Sequence, residues 1–215
     1  MDQIRQGIRE CRGRIESVFQ GTVFYDVGQV GKRVTNIKFD YRRGTQMLVE
    51  YLYSLGHRRM AFVAYPACLQ PTEDRRNAFL QTMERHRAEP LIVAPSSDGF
   101  LGGRDAVRQL LRSSVAPTAL LCVNDITAVG VLKALKEEVI SVPAQISVTG
   151  FDNIALSQFT IAALTTVDTP RDQIGQLTFE ALASGFVSAT TSGREIQVDP
   201  ELIVRESTAP PQQGL

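Results

Sequence analysis

Short apolar runs that each give way to helical spacing restrict this chain to one kind of architecture. Residues 60–64, 91–94 and 119–123 are built from Ala, Val, Ile, Leu, Met and Phe, with Cys122 as the one exception. After each run, apolar residues recur at every third or fourth position. A run with no polar alternation suits a strand covered on both faces, and the amphipathic stretches suit the helices that cover it. Strand and helix in alternation build βαβ units. The expected fold is therefore α/β and doubly wound, with parallel sheet between helices.

The same logic extends along the chain. Ile4, Ile8, Cys11, Ile15 and Val18 mark a helix over 2–19, although Gly7 and Gly13 weaken it. Strands are expected over 22–25 and 35–39, with a glycine-rich loop over 27–33 between them. Met47, Leu48, Tyr51, Leu52 and Leu55 return to helical spacing, and Gly56 ends that helix. Ala78, Phe79 and Met83 share the face of the next helix. Residues 95–103 read as a polar, glycine-rich connection and 105–112 as a helix. Then come a helix over 126–136 and strands over 146–150 and 164–167. A helix capped by Thr169 and opened by Pro170 follows, and short strands at 196–198 and 202–204 complete the series.

Composition removes several classes of function. Of the residues, 43% are hydrophobic and 21% charged, a balance that builds a core and argues against disorder. Lys plus Arg equals Asp plus Glu at 23 each, so no basic surface offers itself to nucleic-acid phosphates. No apolar run approaches the roughly 18 residues that span a bilayer. Residues 1–20 mix Arg and Glu throughout and hold no apolar signal core. Cys11, Cys68 and Cys122 are too scattered for a disulfide frame or a metal site. A cytoplasmic protein with reduced thiols, no metal and no cofactor is expected.

Residues 142–153 carry the most informative strand exit. Ile146 and Val148 suit a buried strand, Gly150 permits a tight turn, and Phe151 and Asp152 are thereby delivered to the carboxyl end. Ligands of open α/β sheets sit just beyond such ends. Asp26 and Asn124 leave apolar strands in the same way, and Arg75 lies near a helix start from which its fork reaches that rim. Two carboxylates, an amide and a guanidinium suit a neutral polyhydroxyl ligand, with Phe151 or Tyr25 to cover an apolar face of it. The plainer alternative makes Asp26 and Asp125 turn or cap residues. Asp125, immediately before a helix, is expected to be its N-cap.

Catalytic spacing is absent. The chain has no nucleophile elbow, no H-E-x-x-H and no P-loop, and Gly99, Gly102 and Gly103 do not form a dinucleotide fingerprint. His57 and His86 stand alone. At a helix end, His57 is expected to favour the macrodipole rather than to act on a substrate. An enzyme is not expected.

Taken in order, longer motifs resemble the effector-sensing region of LacI/GalR-family transcriptional regulators, which has the type I periplasmic binding protein fold. The first are Asp40, Gly44, Tyr51-Leu52 and Leu55-Gly56-His57-Arg58-Arg59, followed by Arg75-Arg76-Asn77-Ala78-Phe79. Next come Pro117-Thr118-Ala119, Val123-Asn124-Asp125, Ala128-Val129-Gly130 and Ile146-Ser147-Val148-Thr149-Gly150-Phe151-Asp152-Asn153. Leu164-Thr165-Thr166-Val167-Asp168 and Leu202-Ile203-Val204-Arg205-Glu206-Ser207-Thr208 complete the set. They occur in family order and cover almost everything from Gly21 to Thr208.

The resemblance implies a small-molecule effector, a sugar or related metabolite, held in a cleft between two lobes. Asp26, Arg75, Asn124 and Asp152 match effector-contacting positions. Arg171 matches one often filled by an aromatic, which favours a more polar or anionic ligand, and Ala78 stands where Gly is usual. The family further implies a homodimer whose lobe closure controls binding to operator DNA, with no membrane involved. Neither the DNA-binding domain nor the first βα units of the N-terminal lobe has a counterpart in this sequence. Residues 1–38 and 170–198 would form a partial N-terminal lobe, and 39–169 with 199–210 the C-terminal lobe. A stand-alone or transport-associated sugar-binding protein of the same fold is the alternative. The lack of a signal core and the motifs at 56–59 and 204–208 favour the regulator.

Overall fold

A computed structural model describes residues 22–26, 34–66, 70–187 and 194–212. The helix expected over 2–19, the loop over 27–33 and the thiols of Cys11 and Cys68 lie outside the described residues. In chain order come β1 (Thr22–Tyr25), β2 (Val34–Phe39), α1 (Tyr41–Ser54), β3 (Arg59–Val63) and α2 (Gln70–Arg85). Then follow β4 (Glu89–Val93), α3 (Gly99–Leu111), β5 (Ala119–Cys122), α4 (Asp125–Glu137) and β6 (Ser147–Thr149). A 3-10 turn (Ala155–Gln158), β7 (Thr166–Asp168), α5 (Arg171–Val187), β8 (Glu195–Val198) and β9 (Glu201–Ile203) complete the order.

These elements divide into two compact units, one of Met1–Asp40 with Pro170–Asp199 and one of Tyr41–Thr169 with Pro200–Leu215. The smaller unit holds a parallel sheet in the order β1-β2-β8, with Tyr25 opposite Ile37 and Phe39 opposite Val198. Helix α5 packs against β1 and β2.

In the larger unit the parallel sheet runs β4-β3-β5-β6. Side chains of a strand alternate between faces, and β3 shows how both are used. Ala61 and Val63 join the cluster formed with Ala106, Val107, Val131 and Leu135 of α3 and α4. Phe62 faces the other way and stacks on Phe79 of α2, ring centroids 5.5 Å apart. Helices therefore cover both faces, the doubly wound α/β arrangement. Residues 201–203 depart from the parallel rule, because β9 pairs antiparallel with β7.

Helix α3 begins earlier than its composition suggests. The stretch 95–103, expected as a connection, already turns into helix at Gly99, where Asp98 accepts the Gly99 N–H at 2.7 Å as N-cap. Gly102 and Gly103 lie inside the helix. A Cβ on Gly103 would strike the backbone of Thr127 and Val131, and one on Gly130 would strike the backbone of Phe100. Glycine costs a helix about 1 kcal/mol relative to alanine, and here it lets two helix backbones touch.

Helix α1 buries Leu48, Val49 and Leu52 and ends at Gly56, whose φ is +104°. Gly56 N–H donates to Tyr53 O and His57 N–H to Leu52 O, the paired bonds of a glycine-terminated helix. His57 itself is buried. Its Nε2 lies 2.9 Å from Ala209 O and its Nδ1 2.9 Å from Thr118 Oγ1. Burial lowers its pKa, which disfavours a charge at this helix end. Its role is to pin the chain end and the loop before β5 to the end of α1.

Candidate functional site

The carboxyl ends of β5 and β6 lie side by side, and each delivers an acidic residue. At β5 the cap is Asn124, not Asp125. Asn124 is extended (φ −152°, ψ 169°) and its Oδ1 accepts the Thr127 N–H at 2.8 Å. Its Nδ2 remains on the donor side of the same amide.

Asp125 falls in the first helical turn and is fully buried. Its Oδ1 accepts from Thr166 Oγ1 at 2.6 Å and its Oδ2 from the Ile154 N–H at 2.9 Å. Desolvation pushes its pKa up to about 6, assisted by nearby Asp152 and opposed by those hydrogen bonds. The carboxylate ties α4 to the exit of β6 and to β7.

That tie explains Gly150. Its φ is not positive; a Cβ there would collide with the Asp125 carboxylate and with Leu164. The expected turn is made instead by Asp152 and Asn153, at φ 102° and 49°. Asp152 N–H donates to Val167 O at 2.8 Å, and Asn153 Nδ2 donates to Asp168 Oδ1 at 2.7 Å.

Arg75 meets this exit from α2. Its Nη1 donates to Val123 O at 2.7 Å and its Nε to Pro71 O at 3.2 Å. The guanidinium carbon stands 4.8 Å from the Phe151 ring centroid and 5.0 Å from that of Tyr41, cation–π distances that hold its plane. Nη1 lies 3.9 Å from Asp152 Oδ1.

Phe151 is 1% exposed, stacked on Tyr41 and packed in the space that Gly44 leaves by lacking a Cβ. The expectation that Phe151 covers a ligand face is therefore corrected. The ring backs Arg75 from the core side. Burial in an apolar floor is what an aromatic next to a glycine-bearing helix achieves, and only the packing reveals it.

The other expected site residues lie in the smaller unit. Asp26 is a half-buried turn residue at φ 58°, and its Oδ1 accepts the Phe39 N–H at 2.9 Å. Arg171 is exposed and opens α5, one residue after Pro170. Within the larger unit the structure brings together Arg75, Asn124, Phe151 and Asp152. Sequence reasoning missed Tyr41 and Asn153. An Asn directly after a strand-exit Asp is the available signal, because Asn tolerates positive φ.

Chemically this rim offers a carboxylate, the fixed fork of an arginine and an amide, a set that exchanges hydrogen bonds with hydroxyls. Among the described residues, no group of three or more His, Cys, Asp or Glu side chains is arranged to hold a metal ion. No helix of the described residues is long and apolar enough to cross a membrane.

A doubly wound unit with converging polar groups at its carboxyl rim is the architecture of a ligand-binding α/β domain. Residues 49–208 match the periplasmic binding protein-like domain. The HTH-type transcriptional repressor PurR of Salmonella arizonae is 32% identical over 194 residues, 87% of this chain and 56% of its own length. The ribose operon repressor of Escherichia coli K12 is 34% identical over 166 residues, 76% of this chain and 50% of its own. A dimeric Lac repressor with an 11-residue C-terminal deletion superposes with a TM-score of 0.79 at 28% identity. That match covers 88% of this chain and 69% of the repressor. The chain thus belongs to the periplasmic binding protein-like family, in the effector-binding region of LacI-type transcriptional repressors. It spans about half the length of the curated relatives it matches.

Proposed function

We propose that this chain is the ligand-sensing part of a cytoplasmic LacI-type regulator and binds a sugar, a pentose foremost, through Arg75, Asp152 and Asn124. The observation that carries this reading is the Arg75–Asp152 pair, a held donor beside a more accessible acceptor at a sheet's carboxyl rim. Asp152 accepts from adjacent hydroxyls, Arg75 donates to a ring or hydroxyl oxygen, and Asn124 Nδ2 donates alongside. Similarity to a ribose operon repressor supports a pentose. Asp26 and Arg171 are proposed as further contacts, on the resemblance alone. In the full-length regulator, ligand binding would shift the population between DNA-binding and released states.

A homodimer is part of the proposal. Phe159 and Ile161 are 75% and 84% exposed, and Val139, 87% exposed, lines with Ile161 a recess of about 320 Å³. Exposed apolar side chains such as Val139 and Ile161 at one recess suit a self-complementary two-fold contact. Similarity to a dimeric Lac repressor agrees with it.

Thermal denaturation with ribose, other sugars, sugar phosphates and nucleobases tests the reading. A sugar at a hundredfold excess over its Kd stabilises by about 2.7 kcal/mol. That gain is expected to vanish in Asp152→Ala, whose unliganded midpoint stays in place, and in Asn124→Ala, which also loses about 1 kcal/mol of unliganded stability with its helix cap. Undiminished stabilisation in both variants refutes the site.

A further inference from the structure

We infer that Arg205 and Asn153 are positioning residues of this site, holding the Asp152 carboxylate at Arg75 without contacting the ligand. The inference rests on the reading of Asp152 as a ligand contact, and it assigns work to the segment after β9 that the fold alone does not require.

Asp152 and Asn153 are consecutive non-glycine residues at φ 102° and 49°. Side chains rarely adopt such backbone, and it persists where the surroundings over-determine it. Here the Asn153 side chain is clamped at both ends. Its Nδ2 donates to Asp168 Oδ1 at 2.7 Å, and its Oδ1 accepts from Arg205 Nη2 at 2.7 Å. Glycine at 153 would relieve the backbone and delete both clamps. The presence of Asn says that the clamps matter more than the relief.

Arg205 is in turn fixed on three sides. Its Nη1 donates to Leu164 O at 2.7 Å and to Ser157 Oγ at 3.3 Å, and its own N–H donates to Thr165 Oγ1 at 3.0 Å. Ser157 Oγ donates to Ile154 O at 2.7 Å, which closes a ring of bonds around residues 153–157. A planar fork can serve Asn153 and Leu164 at once, which a lysine ammonium at the end of a flexible stem does poorly.

The anchors also have a common origin in the chain. Asp168 ends β7 just before the chain leaves this unit at Pro170, and Arg205 follows β9 just after it returns at Pro200. The two strands pair, Asp168 opposite Glu201. The orientation of Asp152 is therefore tied to the two strands that carry the chain out of and back into the unit.

Amide exchange and ribose titration on the intact chain test this. In Arg205→Gln the N–H groups of Asp152 and Ile154 are expected to exchange about tenfold faster, with Val148 unchanged, as the loss of the charge-assisted bond to Asn153 predicts. Arg205→Lys is expected to fall between the two and covers the case in which Arg205→Gln does not fold; Asn153→Gly should match Arg205→Gln. Unchanged exchange, or equal acceleration at Val148, overturns the inference, since the latter is what a merely structural residue gives.

With ribose, Arg205→Gln is expected to weaken binding about tenfold, and to add much less than that in the background of Asp152→Asn, whose side chain keeps an oxygen and so a weak, measurable affinity, because it acts through residue 152. Additive losses overturn the inference. No ribose binding by the wild type would remove the pentose reading, and the exchange measurement alone would then decide whether Arg205 positions Asp152.

Discussion

Nη1 of Arg75 stands 3.9 Å from Oδ1 of Asp152, the arginine side chain 10% exposed and the aspartate 37%. The asymmetry is informative. Arg75 is already spent on Val123 O, Pro71 O and two aromatic rings, so it is fixed before any ligand arrives. Asp152 is the more accessible partner, and a hydroxyl can share it without breaking the arginine's other bonds.

Replacing Arg75 should therefore cost stability as well as binding. Arg75→Met leaves Val123 O without its partner, and the expected loss is about 1–3 kcal/mol by urea denaturation together with loss of sugar binding. Asp152→Ala, by contrast, should lose binding at nearly unchanged stability. Equal destabilisation by the two substitutions would contradict the asymmetry.

Asp125 makes stability depend on pH in an unusual direction. Its folded pKa, about 6, is raised above the ordinary 3.8, so the fold binds a proton more tightly than the unfolded chain does. Its contribution is largest below the unfolded value and is lost as pH rises through about 6, by roughly 3 kcal/mol in total. Asp125→Asn, which keeps an acceptor for Ile154 or Thr166, should remove that slope. Parallel stability–pH curves for the variant and the wild type between pH 4 and 7 would show the carboxyl to be ionised throughout.

His57 has the opposite sign. Burial holds its pKa below 6.5, so its contribution is fully present above the unfolded value and is lost as pH falls through 6.5 toward the folded value. The imidazole C–H resonances are expected to titrate below 6.5. A midpoint at or above 6.5 would show that burial does not set the pKa of this ring.

Glycines on two helices should respond in opposite directions. Gly103→Ala forces a methyl into the α4 backbone and is expected to destabilise by about 1–3 kcal/mol or more. Gly175, on α5, has nothing within 4 Å of an added Cβ, and Gly175→Ala should stabilise by up to about 1 kcal/mol. Calorimetric midpoints moving the same way in both would remove the argument from close helix contact.

The recess bearing exposed Val139 and Ile161, with exposed Phe159 two residues before Ile161 in the chain, makes an apolar face that predicts self-association. Sedimentation velocity should give a dimer for the wild type and a monomer for the Phe159→Glu, Ile161→Glu double variant. A monomeric wild type would leave that face unexplained by a second copy.

Much of the fold was legible because its signals are local. Apolar runs such as 119–122 lie on both-face-covered strands, and the helical spacing of Leu48 and Leu52 places both in the core, so periodicity alone recovers the α/β class. The start of α3 was not legible. Gly99, Gly102 and Gly103 look like loop residues until Gly130 of a distant segment is seen pressed against Phe100 and Gly103.

At the candidate site the division is sharper. Sequence by itself determined that Asn124 and Asp152 leave strands and that Arg75 rides near the start of a helix, since each depends on a few neighbouring residues. Tertiary structure decided which residue caps α4, why position 150 must be glycine, and that Phe151 supports Arg75 instead of facing a ligand. It also decided that His57 is buried, with its pKa lowered. The reason is common to all of these. Burial, close approach and hydrogen-bond partners are set by residues such as Thr166, Leu164, Gly44 and Ala209, far away in sequence, and no local pattern encodes a contact whose other half lies elsewhere in the chain.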